Sequence, residues 1–479
     1  MKRHALIPVS LALAIALAGC KFGPNYKRPA VNTPATYRGA QAPDIDTAAT
    51  SSLGDQKWVE VFHDPVLQDL LREALANNYD VRIAAQRVLE QQAQVSVTRA
   101  AQFPTLNAGG SYNALRLPGG LLGGSNNNNN SNSNNDATTS YAGGLTASAA
   151  WNLDFWGQYR RQTEAARAQL LATQWGSRAA RTQVIQDVVT NYLQLRALDE
   201  QLDITRKTIA TRQESLKLTQ TLEQGGSTTL ADVRQAEELL YTAQANVPSL
   251  EQQIEQQENA LSLLLGRNPS TVIRGQKITE QPHPQAVPAG IPSALLERRP
   301  DILQAEATLV AANAQIGVAR AAYFPQISLS GQGGTNSSQL KSLFDSKNVY
   351  MYASGSISQP IFDGGKIRAN YRLAKATQQE MVLSYQKTIA SALRDVSNAL
   401  VAYRKTTEYR EQQDHEVAAT ADAVRLARLR YQGGSTSYLE VLTNDATLYT
   451  AQLTLVNAQQ QEALSLVQLY SSLGGGWEQ

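Results

Sequence analysis

Arg99-Ala-Ala-Gln-Phe-Pro-Thr-Leu106 and Arg320-Ala-Ala-Tyr-Phe-Pro-Gln-Ile327 are two copies of one stretch, 221 positions apart. Upstream of each runs a polar, Ala- and Gln-rich helical pattern. Downstream of each, residues alternate between apolar and small polar types. Proline removes the N–H that a helix interior needs and drives the preceding residue out of the α region. It is tolerated as the first residue of a strand. Phe103-Pro104 and Phe324-Pro325 therefore predict two helix-to-strand switches.

Working outward, the same order of elements follows each switch. After Phe103-Pro104, one face of residues 105–115 carries Leu106, Ala108, Gly110, Tyr112 and Ala114. The segment 140–153 carries Tyr141, Leu145, Ala147, Ala149, Trp151 and Leu153 on its apolar face. Gly119 to Asp136 between them is rich in Gly, Asn and Ser and cannot build a core. A proline-free run, Gly157 to Gln224, then places Ile185, Val188, Tyr192, Leu195, Leu198, Leu202, Ile209 and Leu216 at coiled-coil-like spacing. At 1.5 Å per residue such a helix is about 100 Å long. Gly225-Gly226 ends it, Ser227 is a candidate cap for the next helix, and Pro248 is expected to kink that helix before Leu265-Gly266.

The second pass repeats the first. Past the hairpins the offset is 208: Gly225-Gly226-Ser227-Thr228 matches Gly433-Gly434-Ser435-Thr436, and Leu265-Gly266 matches Leu473-Gly474. The 13-residue difference between the two offsets is the extra length of the Asn-rich loop. A register held over this distance is an internal duplication. It predicts repeat 1 over residues 66–266, with a hairpin at 104–154 and a long helix at 157–224. Repeat 2 covers 297–474, with a hairpin at 325–362 and a long helix at 366–432. Residues 267–296, rich in proline, read as a connector, and 475–479 as a short tail. Before the repeats, 20–65 reads as an extended, mostly irregular arm. The helical pattern resumes at Val66, and a further helix runs from Asp80, a candidate cap, to Gln102.

The first nineteen residues read as a targeting segment. Lys2 and Arg3 precede a short apolar run, and Leu17-Ala18-Gly19-Cys20 resembles a lipobox, the acylation signal of bacterial lipoproteins. Cys20 is the only cysteine in 479 residues, so no intrachain disulfide and no thiolate metal cluster is expected. The resemblance implies an N-palmitoyl, S-diacylglycerol Cys20, and Lys21 after it implies sorting to the outer membrane. An ordinary signal peptide with a stray cysteine is the alternative.

Strands of about ten residues with one apolar and one small polar face fit a membrane barrel. A soluble hairpin with one wet face has the same alternation. The repeat supplies four strands per chain. Four cannot close a barrel, and an open edge in lipid leaves backbone groups unpaired at several kcal/mol each. In the membrane reading, other copies must close it. The helices carry too few bulky apolar residues for a self-contained bundle and suit a single-layer wall with a Gln-rich face. Net charge is +2, which gives no footprint for nucleic acid. His63, His283 and His415 are scattered, and no metal-ligand spacing, phosphate loop or nucleophile motif is present, so neither a resident metal nor an enzyme is expected.

Several motifs together resemble the TolC-type outer-membrane factors, in particular the lipidated channel branch serving resistance–nodulation–division pumps. They are Cys20-Lys21-Phe22-Gly23-Pro24-Asn25-Tyr26, Trp58, Phe103-Pro104, Leu153-Asp154-Phe155-Trp156-Gly157, Arg298-Arg299-Pro300-Asp301-Ile302, Phe324-Pro325, Pro360-Ile361-Phe362-Asp363-Gly364-Gly365 and Leu473-Gly474. The resemblance implies a mainly α chain whose long helices form a periplasmic α-barrel. Its four strands would join a twelve-strand β-barrel shared by a homotrimer in the outer membrane. It also implies an equatorial belt, a periplasmic adaptor and an inner-membrane pump as partners, and passive export of drugs or other small molecules. The two glycine turns would lie at the periplasmic tip. There the family's gating tyrosine falls on Tyr431 and one acidic residue on Glu440. The family's arginine falls on Thr436 and its second acidic residue on Thr443, with Asp232 and Asp445 as nearby acids. A duct for protein secretion is an alternative in the same class. A non-porous, coiled-coil envelope lipoprotein is one from another class.

Overall fold

The computed structural model describes residues 22–38, 52–117, 138–281, 284 and 287–477. Cys20, the Asn-rich stretch from Asn126 to Asn135, and His283 lie outside the described residues. The described helices are α1 (Trp58–Val61), α2 (Pro65–Asn77), α3 (Tyr79–Ala100), α4 (Gln158–Gln224), α5 (Leu230–Leu264), α6 (Leu295–Arg298), α7 (Pro300–Ala321), α8 (Lys366–Gln432) and α9 (Tyr438–Ser472). The strands are β1 (Thr105–Leu117), β2 (Thr138–Leu153), β3 (Gln326–Ser337) and β4 (Val349–Ser358). The duplication is visible in these bounds. α4 and α8 are both 67 residues long and α5 and α9 both 35, each pair displaced by 208 positions. α3 and α7 are both 22 residues, displaced by 221.

The chain divides into two compact units. One gathers the described part of Met1–Arg28 with Gln91–Leu170 and Thr308–Met381, and so holds all four strands. These form one antiparallel sheet in the order β1-β2-β3-β4, which leaves β1 and β4 as edges. The two hairpins have the same register: Thr105 pairs Ala150, and the equivalent Gln326 pairs Ser358. β1 extends to Leu117, two residues beyond the segment 105–115 read from the sequence, and so includes Arg116. β4 stops at Ser358, short of the hairpin's expected end at 362, because Pro360 has no N–H to add to the ladder.

Both switches form as the sequence implies. α3 ends at Ala100, two residues before the expected Gln102, and a turn with Gln102 N–H on Arg99 O and Phe103 N–H on Ala100 O leads to Pro104. Phe324 stacks on Trp156 at 4.9 Å and meets Phe22 at 4.5 Å, while Trp156 Nε1 donates to Pro325 O at 2.7 Å. Arg161 is buried, and it binds the chain just after the expected lipid site. Its guanidinium donates to Phe22 O, Gly23 O and Asn25 Oδ1, and pairs with Glu164 at 3.0 Å.

The other unit gathers Pro29–Glu90, Leu171–Ala307 and Val382–Gln479. Its interior is built from α2 (Leu67, Leu71, Ala74), α4 (Val188, Tyr192, Leu195), α5 (Leu261), α8 (Ile389, Val396) and α9 (Leu466, Leu469), all buried. The proline-rich connector is not loose here. Buried Asp64 caps α2 through Val66 and Leu67 N–H, and accepts from Tyr192 Oη at 2.7 Å and Gln276 N at 2.9 Å. Arg274 ties the connector to Asp199 and Glu258.

Two local expectations are corrected. Asn78, not Asp80, caps α3, because its Oδ1 reaches Asp80 N at 2.8 Å and Val81 N at 3.2 Å. Thr229, not Ser227, caps α5, because its Oγ1 accepts from Asp232 N–H, three residues on, at 3.3 Å. Pro248 lies inside α5 without ending it. The arm before the repeats also contains structure, a 3-10 turn at Leu53–Asp55 and α1, where buried Trp58 anchors it. Among the described residues no helix is long and apolar enough to cross a membrane.

Candidate functional site: the two glycine turns

The α4–α5 and α8–α9 connections are the same turn twice. At the first, Ser227 N–H returns to Leu222 O at 2.8 Å and Gly226 N–H to Glu223 O at 2.9 Å. At the second, Ser435 N–H reaches Arg430 O at 2.8 Å and Gly434 N–H reaches Tyr431 O at 3.0 Å. This is the Schellman pattern, which places one residue in the left-handed region. Gly226 has φ +72° and Gly434 φ +69°, while a Cβ on either would meet no atom within 4 Å. Backbone conformation, not crowding, requires these glycines; Gly225 and Gly433, just before them, have no positive φ.

Beside the second turn, Ala236, Ala427, Tyr438, Val441 and Leu442 form a buried cluster, with Leu216, Leu239 and Tyr431 packed against it. Tyr431 meets the Tyr438 ring at 4.9 Å. Burial, then the Tyr438 and Asp232 charges, push its hydroxyl pKa up. Asp232 is the third residue of a capping box: its Oδ2 accepts from Thr228 Oγ1, Thr229 Oγ1 and Thr229 N. Those hydrogen bonds hold its carboxyl below the ordinary range. Glu440 is held by Arg430 Nη1 at 2.6 Å and by Thr436 Oγ1. Thr436 thus supplies a hydroxyl to the acid, and Arg430 supplies the positive charge.

Asp445 is in a different setting. It pairs with Arg212 at 2.9 Å; the Arg212 side chain is buried, 4% exposed, and that of Asp445 is partly buried, 14% exposed. Arg212 Nη1 also donates to Leu239 O at 2.6 Å, and the guanidinium lies 5.0 Å from the Tyr449 ring. Tyr449 Oη in turn meets Thr205 Oγ1 at 3.0 Å and Asn246 Nδ2 at 3.1 Å. This knot joins α4, α5 and α9. Tyr431, Asp232 and Glu440 are therefore gathered at the turns, whereas Asp445 belongs to the knot. Sequence reading missed Arg212, Arg430, Tyr438 and Tyr449. For Arg212 a signal existed: it interrupts the apolar stripe between Ile209 and Leu216.

The arrangement holds helix ends together and sets a local charge pattern; it offers no nucleophile beside a base. Among the described residues no three His, Cys, Asp or Glu side chains converge as a metal site.

The family model for outer membrane efflux proteins matches residues 70–267 and 291–475, one segment for each repeat. The chain belongs to the outer membrane efflux protein family. It is 33% identical over 474 residues, 99% of each chain, to the cation efflux system protein CusC of Escherichia coli O6:H1. It is 36% identical over 471 residues, 97% of each chain, to the solvent efflux pump outer membrane protein SrpC of Pseudomonas putida. The crystal structure of the open state of the Neisseria gonorrhoeae MtrE outer membrane channel superposes with a TM-score of 0.83 at 31% identity, covering 96% of this chain and 99% of that one. The chain is accordingly an outer-membrane efflux channel of the TolC-like type, mainly helical, whose four strands contribute to a barrel shared by three chains.

Proposed function

We propose that this member of the family is a passive export duct, anchored by lipid on Cys20 and coupled to a periplasmic adaptor and an inner-membrane pump. The observation that carries this reading is the four-stranded sheet with two unpaired edges, in a chain matched along nearly its whole length by efflux channels. The sites described offer no catalytic constellation, so the work of transport falls to the pump. The cargo follows the pump as well: one relative is named for cations and another for solvents, at similar identity to this chain. In this reading repeats 66–266 and 297–474 line the duct, and 267–296 contributes to a belt. Gly225-Gly226 and Gly433-Gly434 close the periplasmic tip, where Tyr431 holds helices together and Glu440 and Asp232 shape the field, while Asp445, paired with Arg212, braces the helices behind it.

Reconstitution in planar bilayers tests the duct, with stepwise conductance expected. A protein that forms stable oligomers yet never conducts, even after Tyr431→Ala, sinks it. Labelled palmitate incorporation tests the anchor: wild type is expected to label and Cys20→Ser to accumulate as uncleaved precursor.

A further inference from the structure

We propose that the second hairpin carries an aromatic ledge on the lumen wall, which contacts planar aromatic cargo, uncharged or cationic, on its way out. The inference rests on the duct reading and adds a discriminating contact to it. Strand register sorts the sheet into two faces. Leu106, Leu145, Trp151, Leu329 and Ile357 share one, while Asn107, Ser148, Gln332 and Tyr352 form one row across the other. In a membrane barrel the apolar face meets lipid and the polar face lines the lumen. Among the described strand residues no Asp, Glu, Lys or Arg stands on the polar face, so this wall carries no fixed charge.

Two tyrosines interrupt this wall of small polar residues. Gln332 lies directly opposite Tyr352 and diagonal to Tyr350. Its Nε2 donates to Tyr350 Oη at 2.8 Å, and its Oε1 accepts from Tyr352 Oη at 2.8 Å. One amide thus pins two rings by their hydroxyls and leaves the ring faces as the uncommitted surface. Tyr352 is 53% exposed. Toward the helices, Ser330 meets Ser354 and Ser328 meets Ser356, hydroxyl to hydroxyl, at 2.8 and 2.7 Å. The first hairpin has no such ledge. The repeat places Ser111 at the Gln332 position, Ala142 at Tyr350 and Gly144 at Tyr352, with Ser111 opposite Gly144 in the same register. A barrel shared by three chains therefore carries three ledges separated by bare wall. An aromatic ring attracts another ring in offset or edge-on contact and a cation over its face. Pinning the rings beforehand spares the cargo the cost of ordering them. An aliphatic solute gains no such contact.

Cysteines beside the ledge and at its bare equivalent test this in the purified full-length protein. Ser330→Cys stands diagonal to Tyr352, within reach of an aromatic side group. Gly109→Cys is the same position in the first hairpin, where an added Cβ meets nothing closer than 3.5 Å. Each is reacted with N-phenylmaleimide and with N-cyclohexylmaleimide, and the protein without an added cysteine corrects for Cys20. The phenyl-to-cyclohexyl rate ratio is expected to be about two- to tenfold higher at Ser330→Cys, the range that one aromatic contact supplies. Tyr350→Leu/Tyr352→Leu should bring it down to the Gly109→Cys value, whereas Tyr350→Phe/Tyr352→Phe, which keeps the rings, should hold it above that value. Equal ratios at the two cysteines, or a raised ratio that survives the leucines, overturn the ledge. A negatively charged thiosulfonate that modifies neither cysteine overturns the duct reading instead, because a lumen wall is wet.

Discussion

Asp445→Ala is expected to loosen the knot that holds α9 against α4 and α5. The Arg212–Asp445 contact is 2.9 Å between a buried guanidinium and a partly buried carboxylate. At an effective dielectric of about 20, two unit charges at that distance attract by roughly 6 kcal/mol. Desolvation costs several kcal/mol per ion, so the intact pair is close to neutral relative to a well-packed apolar pair. Removing one partner is different, because a charge is left buried and uncompensated, at about 3–5 kcal/mol. Arg212 keeps its bond to Leu239 O and its place over the Tyr449 ring, so the lower end of that range applies. Arg212→Met/Asp445→Leu should recover most of the loss. Amide hydrogen exchange reads the effect locally: protection around Arg212 and from Val441 to Tyr449 should fall by two or so orders of magnitude (~3 kcal/mol) in Asp445→Ala. It should return toward wild type in the double variant. Unchanged protection in Asp445→Ala, or equal losses in the single and double variants, would refute the argument.

Three other outcomes are expected. Gly226→Ala and Gly434→Ala should each cost about 1–2 kcal/mol from the left-handed φ alone, with no steric addition, seen as faster exchange in the last turn of α4 or α8. Glu440→Gln and Arg430→Gln should move the channel reversal potential under a salt gradient in opposite directions, toward anions and toward cations, because the two charges offset each other in the wild type. The capping carboxylate of Asp232 has its pKa lowered by folding, so its contribution is present above the unfolded value near 3.9 and is lost as pH falls through the lower folded value. Asp232→Asn should therefore narrow the stability difference between neutral and acid pH at the α5 N-terminus, as followed by exchange of Asp232-region amides in wild type and variant.

The long elements of this protein were fixed by its sequence, because their signals are local. Proline after Phe103 and Phe324 stops a helix whatever the chain does elsewhere, and Gly226 and Gly434 supply a backbone conformation that other residues resist. The result is that α8 spans the expected residues, Lys366 to Gln432. The duplication was equally legible, since a repeated register survives substitution of the side chains that carry it. What tertiary structure decided is where one polar group meets another across a large separation. Arg212 and Asp445 lie 233 positions apart, and their equivalents by the repeat, Thr420 and Glu237, form no such pair, so symmetry gave no warning of it. Arg161 reads as one more helix-surface arginine until the fold brings Phe22 to Asn25 against it. Caps belong to this second class as well. Asn78 and Asp80, or Ser227 and Thr229, are both good cap residues, and the choice turned on which side chain the fold places two or three positions before the helix's free N–H groups.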